Sequence, residues 1–155
     1  MEKEFIPYEQ ALTLKKLGFD EPCFAYYDEE DSSQTVYEYA NCDGNVTGNK
    51  SCYNYDFLSV TNSQLDEYGA FGAKDDEGEE CFLRWTASTF SQAFRFFREK
   101  YKLHSTITSI SQESWQWHIT KPGEPLGKLY EEDFYNYEEA ELACLIKLID
   151  IVKEK

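Results

Sequence analysis

The stretch Thr89-Phe90-Ser91-Gln92-Ala93-Phe94-Arg95-Phe96-Phe97-Arg98-Glu99-Lys100-Tyr101 constrains this chain more than any other. Its apolar residues recur at helical spacing, and a strand-like hairpin follows directly. Phe90, Ala93, Phe94, Phe97 and Tyr101 fall on one face of a helix, with Arg95, Arg98, Glu99 and Lys100 mostly on the other. Thr89 and Gln92 have the spacing of a capping box at its start. Beyond Lys102, Thr106-Ile107-Thr108-Ser109-Ile110 reads as a strand and Ser111 to Ser114 as a turn. Trp115-Gln116-Trp117-His118-Ile119 alternates apolar with polar at period two, as a half-buried strand does. A helix feeding an antiparallel hairpin points to an α+β class and says nothing about chemistry.

The rest of the chain supplies compatible elements. Pro7 to Phe19 reads as a short helix, with Pro near its first turn, lysines in its last, and Gly18 at the position after the cap, where Phe19 supplies a hydrophobic contact. Cys23 to Tyr27 and Thr35 to Ala40 form a hairpin around the polar turn Asp28 to Gln34. Asn41 to Ser51 is a loop, Cys52 to Val60 a further strand, and 61–80 an acidic, Gly-containing loop ahead of a short strand from Cys81 to Trp85. Lys121 to Gly127 is a loop, and Lys128 to Tyr135 adds an edge strand. Asn136 caps a final helix whose stripe is Leu142, Leu145, Ile146, Ile149 and Val152. The expected architecture is a predominantly antiparallel sheet with two to three helices packed on one face, in two layers, as a single domain over 1–155. Phe94, Phe97, Trp117, Leu145 and Ile149 are its expected core, and the pair Trp115 and Trp117 reads as sheet-to-helix packing rather than an exposed stacking platform.

Charge narrows the class of partner. Thirty acidic residues stand against 15 basic ones, a net charge of −15. Such a surface repels polyanions and anionic membranes and attracts a basic protein, so neither nucleic acid nor membrane is an expected partner. With no signal-peptide-like N-terminus and no run of apolar residues long enough to span a bilayer, a soluble, unexported protein is expected. Five scattered cysteines, Cys23, Cys42, Cys52, Cys81 and Cys144, fit reduced thiols better than a disulfide framework.

The motifs of catalysis and cofactor binding fail individually. His104 and His118 have no metal-ligand spacing, and His118 lies on the strand face opposite Trp117 and Ile119, where a solvent-facing imidazole is the ordinary outcome. Cys42 and Cys52 lack two further zinc ligands nearby. Asn41 to Val46 alternates oxygen ligands but has neither the Gly nor the Glu of a calcium loop. Gly69 to Lys74 lacks phosphate-loop spacing and sits among seven acidic residues between Asp66 and Glu80. We therefore expect no catalytic, cofactor or metal-binding set. The densest acidic runs, Asp28-Glu29-Glu30-Asp31 and Asp75, Asp76, Glu77, Glu79 and Glu80, are the candidate partner-binding residues, because loops leave such side chains free to meet a basic surface.

Three separated signatures carry a family resemblance: Pro7-Tyr8-Glu9 through Leu17-Gly18-Phe19 with Glu21-Pro22-Cys23, then Ala93 to Phe97 with Arg98-Glu99-Lys100-Tyr101, then Tyr137-Glu138-Glu139-Ala140. Together they resemble uncharacterised small proteins encoded by phages and prophages of Bacteroidetes, over the first 27 residues and about residues 86–153. No activity attaches to that family, so the resemblance implies a setting only: an accessory protein made in a bacterial cytoplasm from a mobile element. With the charge, it favours a non-enzymatic factor acting by protein binding. The alternatives are an acidic DNA mimic that occupies a host DNA-binding enzyme, and an enzyme or small-molecule binder whose site is assembled from distant residues.

Overall fold

The computed structural model describes residues 4–23, 25–28, 37–38, 61–63, 65, 84–123 and 133–154. The chain divides into two compact units: Pro7–Ser88 is one, and Lys3–Ile6 joins Thr89–Lys155 to make the other. Both are α+β, and their strands pair antiparallel in two separate sheets.

In the unit Pro7–Ser88, helix α1 (Tyr8–Lys16) ends as its sequence demands. Gly18 adopts φ 82°, the left-handed conformation that glycine takes without a Cβ clash. Its N–H donates to Lys15 O and that of Phe19 to Leu14 O, both at 2.9 Å, while the Leu14 and Phe19 side chains are buried. These are the paired hydrogen bonds and hydrophobic contact of a Schellman C-cap. Strands β1 (Ala25–Asp28), β2 (Tyr37–Glu38) and β3 (Arg84–Thr86) form one sheet in the order β2-β1-β3, so the expected hairpin forms and the strand before Thr86 joins its other side. The Tyr8 ring meets Trp85 edge-on at 4.7 Å and Tyr27 at 5.5 Å, fixing α1 against this sheet.

Asn62 ties the unit together. Buried at 4 % exposure, it donates from Nδ2 to Phe19 O at 2.8 Å and accepts the Thr86 N–H at Oδ1 at 2.9 Å. Next to it the Asp20 carboxylate accepts both the N–H and the hydroxyl of Ser63 at 2.6 Å. Asn62, Ser63 and Leu65 are helical, with Leu65 N–H donating to Thr61 O, which corrects the start of the expected 61–80 loop. The remainder of that segment and the expected strand 52–60 lie outside the described residues.

In the other unit, helix α2 (Phe90–Lys100), strands β4 (His104–Ser111) and β5 (Ser114–Thr120) and helix α3 (Tyr137–Lys153) follow the order expected. Thr89 accepts the Gln92 N–H while Gln92 Oε1 accepts the Thr89 N–H at 3.0 Å, completing the capping box. β4 and β5 pair from His104↔Thr120 to Ser111↔Ser114, with a bulge between Ser109 and Ser111. Trp117 and Ile119 are buried on the face that α3 covers; Gln116, His118 and Thr120 lie half-buried on the other. Phe5 forms an antiparallel bridge with Thr89, so the N-terminal segment is part of this unit.

Two helix faces are rotated from the expected stripes. In α2 the buried residues are Ala93, Phe96 and Phe97, while Phe90 and Phe94 are only half-buried. Phenylalanines occur on both sides of α2, and Phe96 wins because its ring meets Phe97 at 5.5 Å and Tyr101 at 5.6 Å under the Lys100 ammonium, 5.1 Å from its centroid. In α3 the face is Ala140, Cys144, Leu145, Leu148 and Ile149; Leu142 and Val152 flank it and Ile146 is 39 % exposed. Of the expected core, Phe97, Trp117, Leu145 and Ile149 are buried and Phe94 is not fully so.

Phe97→Ala removes a fully buried ring and lowers unfolding stability by about 3–5 kcal/mol in urea titrations, whereas Ile146→Ala costs under about 1 kcal/mol. An equal cost at the two positions would contradict the helix rotation. Asn62→Ala removes the acceptor of the Thr86 N–H and the donor to Phe19 O together, and lowers stability by about 2–4 kcal/mol, while Ser63→Ala at the exposed neighbouring pair costs about 1 kcal/mol or less.

Candidate functional site

The entry to α3 carries the most distinctive surface among the described residues. Phe134 exchanges two 2.9 Å backbone hydrogen bonds with Trp115 and so lies alongside β5, which is all that the described residues contain of the expected 128–135 edge strand. Asn136 then turns the chain into α3, its Oδ1 accepting the Glu139 N–H at 2.8 Å. Between these two anchors Tyr135 is held out at 86 % exposure. Tyr137 stands edge-on to Trp115 at 5.3 Å and keeps 40 % of its surface in water.

Carboxylates rim these rings. Asp133 accepts from Gln116 Nε2 at 2.7 Å, Glu138 and Glu139 occupy the first turn of α3, and Glu141 accepts the Tyr137 hydroxyl at 3.2 Å. From Asp133 to Ile146 no Lys or Arg occurs, so these four acids leave the segment at −4. Partial burial raises the Glu141 pKa above its ordinary value, and the neighbouring Glu4 and Glu138 charges raise it further against the lowering effect of the Tyr137 hydrogen bond. Burial also raises the Tyr137 pKa, as do the Glu141 charge and the hydrogen bond to it. Acids at a helix N-terminus interact favourably with its dipole, so Glu138 and Glu139 are compatible with the fold.

The titratable groups near this cap differ in burial. Cys144, one turn beyond Glu141, is buried, and desolvation pushes its thiol up to about 12 against the opposing hydrogen bond with Ser105. It is therefore protonated near neutrality and is neither a nucleophile nor a ready metal ligand. His104 is exposed and His118 half-buried on the outer face of β5, as expected of a side chain alternating with Trp117 and Ile119. Among the described residues no group of three or more His, Cys, Asp and Glu side chains is placed to hold a metal ion. Nor is any described helix long and apolar enough to cross a membrane. Exposed tyrosines with an acidic rim do match what a Lys- or Arg-bearing surface requires: ring faces for the cation and its stem, and carboxylates for its charge.

Of the residues singled out from sequence, Asp28 ends β1 opposite Arg84 in the backbone register. Glu29, Glu30, Asp31, Asp75, Asp76, Glu77, Glu79 and Glu80 lie outside the described residues, as do Cys42 and Cys52. Sequence reasoning missed Tyr135, Tyr137 and Trp115 as a group. The available signal was the interleaving of aromatic and acidic residues in Asp133-Phe134-Tyr135-Asn136-Tyr137-Glu138-Glu139 on either side of a helix cap.

Glu141 gives this site a pH signature. Its folded-state pKa lies above the unfolded value near 4.5, so folding takes up a proton as pH falls through that interval. The contribution to stability is fully present below the unfolded pKa and is lost as pH rises through the folded one. Glu141→Gln should therefore raise the Tm at neutral pH and flatten its change on mild acidification; an unaltered pH profile would show that this carboxyl titrates like an exposed one.

No family model, curated protein or solved structure matches this chain.

Proposed function

We propose that this chain is a non-enzymatic accessory factor of a phage or other mobile element that acts in a bacterial cytoplasm by binding a basic protein of the host. The observation that carries the reading is Tyr135, 86 % exposed between the backbone anchors at Phe134 and Asn136 in a segment whose charged residues are all acidic. A tyrosine has only two side-chain torsions to fix on binding, and it is among the residues that most often dominate interface energetics. The net charge of −15 supplies long-range attraction to a basic partner and speeds its encounter. The resemblance to phage-encoded proteins of Bacteroidetes supplies the setting. The acidic runs at Asp28–Asp31 and Asp75–Glu80 contribute to the same steering field.

Affinity capture from a Bacteroidetes lysate at low and high salt tests this. The wild-type chain should retain a basic protein, and with that protein purified, Tyr135→Ala should weaken binding by about 2 kcal/mol, roughly 30-fold, mostly through faster dissociation. Neutralising Asp133, Glu138 and Glu139 should instead slow association and reduce its salt dependence. Binding indifferent to Tyr135→Ala but competed by duplex DNA would replace this reading with that of a DNA mimic, whose contacts are carboxylates rather than rings.

A further inference from the structure

Strand β4 presents an edge that folded proteins usually protect. It is eight residues long, His104-Ser105-Thr106-Ile107-Thr108-Ser109-Ile110-Ser111, without Lys, Arg, Asp, Glu or Pro. Among the described residues it has one strand partner, β5, while β5 is flanked on its far side by Phe134. His104, Thr106, Thr108, Ser109 and Ile110 are exposed, Ile110 at 54 %. The bulge between Ser109 and Ser111 interrupts the edge at one end only and leaves His104 to Ser109 regular. A strand of this length and β-branched composition, with one edge unpaired among the described residues, is a template for another strand.

The sequence of that edge says which strand. Ser105-Thr106-Ile107-Thr108-Ser109 reads the same in both directions about Ile107. Two copies related by a two-fold axis perpendicular to the sheet at Ile107 align antiparallel, with every side chain kept on its own face. Thr106 then faces the partner's Thr108, Ser105 faces the partner's Ser109, and Ile107 meets its own equivalent. Thr–Thr and Ser–Ser pairs are favourable cross-strand neighbours through their hydroxyls. The flanking charges agree: Lys102 precedes the strand and Glu113 follows it, so antiparallel pairing sets Lys102 opposite the partner's Gln112, one residue from the partner's Glu113, at both ends, whereas a parallel arrangement stacks like on like. No carboxylate lies between Lys100 and Gln112, so β4 itself adds nothing to the repulsion of two chains at −15.

We infer that β4 is a homodimerisation strand, joining two copies through a continuous antiparallel sheet with β5, β4, the partner's β4 and the partner's β5 in that order. Sedimentation velocity on the full chain tests it. A dimer should form at tens of micromolar, of order −6 kcal/mol, and tighten with salt as net repulsion is screened. Thr106→Lys with Thr108→Lys sets lysines directly opposite each other and should weaken the dimer at least about 10-fold while leaving the circular dichroism spectrum and Tm unchanged, since both side chains are exposed. Glu113→Lys should also weaken it, and Lys102→Glu combined with Glu113→Lys should restore it. A chain that stays monomeric at several hundred micromolar overturns the inference. So does a dimer that survives the paired lysines with its fold intact.

Discussion

The covering of the β4–β5 hairpin by α3 is the interaction on which the C-terminal unit depends. A two-stranded hairpin is at best marginal in water, because it has no second layer on which to bury its apolar face. Here Trp117 and Ile119 supply that face and Cys144, Leu145, Leu148 and Ile149 receive it. Once α3 is seated, its first turn must lie beside β5, and the Asn136 cap and the Phe134–Trp115 pair determine where the chain enters. The exposure of Tyr135 follows from that entry.

Electrostatics acts on the same scaffold in two opposed ways. Acids in the first turn of α3 agree with the helix dipole, whereas Glu141, one turn deeper and partly desolvated, sits where its charge is least welcome. No Lys or Arg occurs within this stretch to offset those charges along the chain. β4, by contrast, is almost free of ionised groups. A chain with so lopsided a charge therefore exposes two different kinds of surface among its described residues, one acidic and aromatic and the other without acidic or basic side chains apart from His104.

Much of the fold was legible in residue spacing because local signals agreed with one another. Thr89 and Gln92, Gly18 and Phe19, and Asn136 each mark a helix end by hydrogen bonds a short segment makes within itself, and the hairpin alternates clearly across Trp115, Trp117 and Ile119. Helix rotation was less legible. Phe94, Phe96 and Phe97 place aromatic mass around most of α2, and Ile146 is as apolar as Leu145, so the choice of inward face rests on tertiary packing that periodicity does not encode. Asn62 was missed for the same reason, since its two partners lie 43 and 24 residues away. The candidate site was hidden because exposure, not composition, distinguishes Tyr135 from the other tyrosines among the described residues.

The pairing of Phe5 with Thr89 orders events during synthesis. The ribosome delivers Pro7–Ser88 as one uninterrupted stretch, so that unit has all of its own chain in hand while the C-terminal helices are still untranslated. The short N-terminal segment belongs to the later unit and must wait through the emergence of more than eighty residues for its neighbour at Thr89. During that interval Phe5 and Ile6, both buried in the finished molecule, are without the partner that Phe5 finds at Thr89. Completing the C-terminal unit thus means closing the chain between Phe5 and Thr89, an entropic cost that grows only slowly with the length enclosed.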